Sequence, residues 1–222
     1  MAASIVFAGA LLFATARPAN AQVLPPPGNN YAQFAASWWK WFMELPLTNS
    51  AGVVHPGIDS ARFDVTEGQS GGVWFLAAPF GTITRNCNIP LGKSLFVALI
   101  DAEWSSLEDP SCTTADCQTG TANYYGDHIV DVSCEIDGVA VANLDSFRVL
   151  SPQITFTAPS PWIFGATGGT GTSVGDGYYV LLSPLSAGSH TIHFGGAFLF
   201  TKKADGFRFY APLDMTYRIN VQ

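Results

Sequence analysis

From residue 60 onward, Gly, Pro and Asp-Gly pairs break the chain at short intervals, and the segments between them are strand-like. Such punctuation excludes long helices and points to many short strands. The clearest is Val130, Val132, Cys134 and Ile136 alternating with Asp131, Ser133, Glu135 and Asp137, one face for a core and one for water. Asp137-Gly138 then supplies a two-residue hairpin turn into Val139. Further strands are expected over 72–79, 83–89, 94–100, 146–150, 153–157, 178–183, 190–200 and 207–221, with Asp205-Gly206 turning the last two. Residues 101–126 lose this periodicity and read as a long acidic loop. Residues 165–177, rich in Gly, Thr and Ser, read as a flexible loop at one end of the fold.

One segment has a different period. Phe34, Trp38, Trp41, Phe42 and Leu45 recur at helical spacing, with Ser37, Lys40 and Glu44 opposite, and Pro46 ends the run. A helix over 31–45 is expected, with Asn30 and Gln33 forming a capping box. A face this apolar needs a cover. Packing on the sheet of the same domain is the plainer expectation, and a docking surface around Trp39 is the sharper one. The expected architecture is mainly β: an antiparallel β-sandwich, Ig-like or jelly-roll-like, with one N-terminal amphipathic helix.

Ahead of the helix, residues 4–15 are almost wholly apolar, and Pro18-Ala19-Asn20-Ala21 offers small residues for cleavage before Gln22. Residues 1–21 thus read as a signal peptide, although no Lys or Arg precedes the apolar run. Residues 22–30 form a Pro-rich lead-in, and 31–222 a single domain. The expected setting is export, periplasmic or extracellular, with no transmembrane anchor. Charged residues make up only 12% of the chain and its net charge is −7. With few Lys and Arg, spread along the chain, a nucleic-acid footprint is absent. Four cysteines in an exported chain argue for two disulfides. Cys112 and Cys117 are close enough to staple one loop, and Cys87 with Cys134 is the expected second pair. A zinc site is the alternative.

Four constellations could carry chemistry. Gly68-Gln69-Ser70-Gly71-Gly72 matches the serine-hydrolase elbow, with Asp176 and His190 or His193 later in the chain. A strand follows the motif where the elbow needs a helix, so a surface serine in a turn is the better reading. His190 and His193, three apart on a strand, face opposite sides and cannot share an ion, which favours structural roles. Asp101, Glu103, Glu108, Asp109 and Asp116 could supply oxygens to calcium, with Asp101, Glu103 and Asp109 as the named ligands, but no calcium-loop spacing is present. No other cofactor is implied. The same carboxylates meet the bare composition of a glycosidase. Finally Trp162, Phe164 and Tyr178 flank the glycine-rich segment and, with Trp39, are the expected ligand-contact residues.

Arg85-Asn86-Cys87-Asn88-Ile89-Pro90-Leu91-Gly92-Lys93 and Pro184-Leu185-Ser186-Ala187-Gly188-Ser189-His190-Thr191-Ile192-His193-Phe194-Gly195-Gly196 resemble the motifs of a family of exported bacterial proteins. The resemblance extends to Ser37-Trp38-Trp39-Lys40-Trp41 and Asp176-Gly177-Tyr178-Tyr179. It implies an envelope or extracellular setting and brings no mechanism with it. The sequence favours a non-catalytic binding or envelope-structural module with a carbohydrate or protein partner. The alternative is a secreted hydrolase using Ser70 or the acidic-loop carboxylates. The sequence does not specify an oligomeric state.

Overall fold

The computed structural model describes residues 22–26, 28–58 and 65–222. The expected signal peptide lies outside them. The elements are β1 (Val23–Leu24), α1 (Tyr31–Glu44), β2 (Val73–Leu76), β3 (Gly81–Ile89), β4 (Ser94–Ser105), α2 (Ala115–Gly126), β5 (Ile129–Ile136), β6 (Val139–Ala140), β7 (Arg148–Leu150), β8 (Ile154–Ala158), β9 (Gly169–Leu182), β10 (Gly188–Phe200), the single turn α3 (Lys202–Asp205) and β11 (Phe209–Val221). No helix among the described residues is long and apolar enough to cross a membrane.

The chain is mainly β, in two sheets. The first has the order β1-β9-β4-β2, with β7 and β8 also pairing along β9; the second has the order β3-β11-β10-β5-β6. Both are mixed, because β2 runs parallel to β4 and β3 parallel to β11. That corrects the all-antiparallel expectation. The chain passes from β2 in the first sheet to β3 in the second and back to β4 in the first. Two such crossings return it in its original direction, where a tight hairpin would reverse it.

β4 is buried on both sides. Leu95 to Ile100 form an unbroken buried run, as expected of a strand covered on two faces. Leu95 and Val97 join Ile192, Phe194 and Met215 of the second sheet in one core. Phe96, on the opposite face, meets Tyr31 and Phe34 of α1 at ring separations of 5.6 Å. Trp38, Trp39 and Trp41 are all buried, and their indole N–H groups donate to Leu76 O (3.0 Å), the Tyr179 hydroxyl (2.9 Å) and Glu67 O (2.9 Å). The outer face of α1 is also used: Lys40 Nζ donates to Thr155 O (3.0 Å), and Glu44 accepts from Thr157 N (2.9 Å), so the helix satisfies part of β8. Asn30 does not cap the helix with its side chain; it stands in the left-handed region at φ 51°. Leu45 is extended, the conformation that Pro46 imposes on its predecessor.

The segment expected as a flexible glycine loop is a strand from Gly169 onward. Its glycines provide close approach rather than freedom. A Cβ on Gly175 would stand 2.0 Å from Trp39 Nε1, one on Gly177 would stand 2.3 Å from Asp101 Cβ, and one on Gly171 would stand 2.8 Å from Leu107 Cγ. The expected 101–126 loop is likewise shorter, since β4 continues to Ser105 and α2 begins at Ala115. Thr114 caps α2 by accepting from Cys117 N, and the Cys112–Cys117 disulfide closes the turn ahead of the helix.

The second expected disulfide is absent: Cys87 and Cys134 are free. Cys87 lies on β3 and Cys134 on β5, with β11 and β10 between them. Three strand spacings are roughly 14 Å, about twice the Cα separation a disulfide can span. Burial pushes both thiols up to about 12. The unfolded, unreduced chain should therefore titrate two thiols with Ellman's reagent, and the folded chain almost none. Zero thiols after unfolding would contradict this assignment. Gly175→Ala should destabilise the fold by about 3 kcal/mol, read as a lowered denaturation midpoint.

Candidate functional site

β2 stops early. Its last pairing is Leu76 with Val97. The next carbonyl, Ala77 O, accepts from Arg85 Nη1 (2.7 Å) and from the Tyr217 hydroxyl, and Pro79 has no N–H to give a ladder. The chain peels away, and among the described residues no strand pairs with that edge of β4 beyond Val97. A cavity of about 570 Å³ opens there, walled in part by every residue from Ala98 to Glu103. A bulge between Ala98 and Ile100 breaks the strand's alternation, and the open edge beside it lets consecutive residues border one space.

The other walls are mostly aromatic. Trp38, Trp39 and Phe42 come from α1, Phe164 from the 162–164 segment, and Phe198, Phe200, Phe207 and Phe209 from the tip of the second sheet. Among the described residues, the charged ones lining the cavity are Asp101, Glu103 and Glu108, and no Lys, Arg or His lines it.

Asp101 and Glu103 sit two apart on β4, hence on the same face. The Tyr179 hydroxyl, which accepts from Trp39 Nε1 at 2.9 Å, stands beside Asp101 and favours its carboxylate form. Asp101 Oδ2 is enclosed and has no hydrogen-bond partner. Burial pushes the Asp101 carboxyl up to about 8, and the nearby Asp176 charge acts in the same direction. Glu103 is buried, accepts from the Ser173 hydroxyl, and is hydrogen-bonded to Glu108. Burial, followed by the Glu108 hydrogen bond and charge, holds Glu103 well above the usual carboxylate range. Ser105 Oγ fixes Glu108 at 2.7 Å. Burial thus favours the protonated form of Asp101 and Glu103, which can donate as well as accept.

The residues singled out from sequence are distributed unevenly around this site. Asp101 and Glu103 are brought into it. Asp109 is not: its carboxylate accepts from Ser111 N (2.9 Å) and Ser111 Oγ (2.6 Å) outside the cavity. The calcium set therefore does not converge, and among the described residues no three His, Cys, Asp or Glu side chains are placed to share a metal ion. Trp39 is buried and reaches the cavity from inside, which corrects its reading as an external docking residue. Trp162 is buried against Phe156 and does not line the cavity. Phe164 is exposed and lines it, while Tyr178 is half-buried beside Ile100 and Arg148 and does not.

The serine-hydrolase constellation is not assembled. Ser70 is exposed, and among the described residues no hydrogen bond joins it to a histidine. Asp176 is taken by Arg148 (Nη2 to Oδ2, 2.5 Å), His190 is buried between Asp137 (2.8 Å) and Ser186, and His193 faces outward to Asp214 (2.7 Å). Sequence reasoning missed the Glu103–Glu108 pair and the Tyr179 hydroxyl. A β4 extended to Ser105 would have revealed the one-face spacing of Asp101, Glu103 and Ser105.

No family model matches this chain, and no curated protein matches it in sequence. Among solved structures, a cysteine protease inhibitor from Entamoeba histolytica is similar at 15% identity, over 62% of this chain and 86% of that one, with a TM-score of 0.23. Amebosin is similar at 12% identity, over 65% of this chain and 100% of that one, with a TM-score of 0.21. Likeness at those scores brings neither fold nor function to this chain.

Between about pH 4 and pH 8, folded Asp101 holds a proton that the unfolded chain has released. Stability should therefore fall as pH rises through that window, by up to ~1.4 kcal/mol per unit. Asp101→Asn should flatten the dependence of Tm on pH in that window. Identical slopes for the two proteins would show that Asp101 ionises normally in the fold.

Proposed function

We propose that this chain is an exported, non-catalytic binding module, a two-sheet sandwich that takes a small, largely apolar ligand into the cavity on the edge of β4. One observation carries the reading. An aromatic-walled space of about 570 Å³ adjoins a tightly packed core and brings in a few convergent polar groups. Small-ligand sites have that volume and that mixture, apolar walls for affinity and a few polar atoms for orientation. The apolar leader and the Cys112–Cys117 disulfide support export. Buried, high-pKa thiols at Cys87 and Cys134 are compatible with an oxidising compartment, since thiols that stay protonated and enclosed are inert.

A glycosidase reading fits less well. It needs two carboxyl groups about 5 Å or more apart with the sugar or a water between them. Glu103 and Glu108 hydrogen-bond each other directly.

The test is titration with N-phenyl-1-naphthylamine, a neutral apolar dye. Its emission should rise and saturate at one site per chain. Ala102→Phe, which places a ring in the cavity, should weaken binding at least tenfold while leaving the circular dichroism unchanged. Unsaturable uptake that is equal in both proteins would overturn the proposal.

A further inference from the structure

The charge of the lining goes further than its volume. Resting on the binding reading above, we propose that the ligand is a lipophilic organic cation, an ammonium head on an apolar body. Among the described residues, the charged side chains that line the cavity are acids, Asp101, Glu103 and Glu108, with no basic residue to offset them. An anionic ligand would find no countercharge among these acids and would oppose the ionisation of each of them. A purely hydrocarbon ligand would leave Asp101 Oδ2 as it stands, enclosed and without a partner. An ammonium group close to this carboxyl supplies the missing partner.

The walls distinguish an organic cation from a metal ion. A hard metal cation needs several oxygens converging on one point, and among the described residues no group of three side chains provides them. An alkylammonium needs one carboxylate and aromatic surroundings, because the negative face of a π-system attracts a positive charge that has shed its water. Trp38, Trp39 and Phe42 line the same cavity as Asp101. The apolar tail then has Phe198, Phe200 and Phe209 as neighbours.

Binding involves a proton exchange. In the empty cavity the Asp101 carboxyl is neutral, held so by burial and by Asp176 nearby, with Tyr179 beside it and the Glu103–Glu108 pair farther along the same wall. When the cation arrives, the O–H bond of one carboxyl breaks and its proton leaves to solvent. The carboxylate keeps the electron pair and the ligand's charge replaces the proton's. Net charge in the cavity is unchanged, so the site accepts a cation without exposing a bare charge to low dielectric.

Three eight-carbon probes test this on the chain from Gln22 onward, by displacement of N-phenyl-1-naphthylamine and by calorimetry: octylammonium, octyl sulfate and octanol. Octylammonium should bind at least tenfold more tightly than the other two. At pH 7 its binding heat should vary with the ionisation enthalpy of the buffer, reporting proton release. Asp101→Asn should bind octanol as the parent does and lose the preference for the cation. Glu103→Gln and the buffer dependence of the parent serve if Asp101→Asn does not fold. Saturable dye binding with equal or better affinity for octanol or octyl sulfate, or with no proton release, would overturn the cation inference and leave the binding reading standing. If neither the dye nor any probe saturates, the binding reading itself fails.

Discussion

Trp39 reaches the backbone of β9 because residue 175 has no side chain. A methyl group there would occupy the space of the indole nitrogen. From that contact the indole N–H meets the Tyr179 hydroxyl, which meets Asp101 on the neighbouring strand. One close approach therefore fixes the helix on the first sheet and orients the acid of the cavity at the same time. Gly177 repeats the device one pleat farther on, giving Asp101 room to lie against β9. Helix, strand and acid depend on the same short distance.

The cavity comes from a strand cut short. Arg85 is almost fully buried, which would be costly for a guanidinium without partners. It donates to the carbonyls of Ala77 and Pro56 and to the Tyr217 hydroxyl. In holding Ala77 O it draws the chain out of register with β4 just where a ladder would otherwise continue. The residue that stabilises the junction between the sheets also leaves part of β4 without a neighbour. The sheet junction and the opening of the cavity thus lie at the two ends of one small segment.

Much of the β framework was legible because water leaves a pattern. β5 alternates strictly, since its sheet is covered on one face, and Asp137 and Gly138 both take the positive φ that their hairpin turn requires. The disulfide between Cys112 and Cys117 followed from spacing. Three features were hidden for physical reasons. β9 resembled a linker because glycine for close approach and glycine for flexibility look alike in sequence. Cys87 and Cys134 both sit in strands, but sheet order is not a local property, so the two strands between them were invisible. Asp101 and Glu103 looked solvated because local sequence cannot say that helix and sheet will close around them. The aromatic period of 34–45 falls on the buried side of α1, yet nothing local indicated that Trp39 would end at a cavity.

An unpaired β-strand edge is ordinarily a hazard, because its open amides and carbonyls invite a neighbouring chain to add itself. Proteins blunt such edges with charge, proline or a covering element. Here β4 past Val97 is blunted by all three: acids along the edge, Pro79 where the next strand would have run, and aromatic rings closing over it. The cavity is thus a guarded edge. The acids, proline and rings that line the space are also what shields this edge, so a change that opened the cavity would weaken the barrier to self-association.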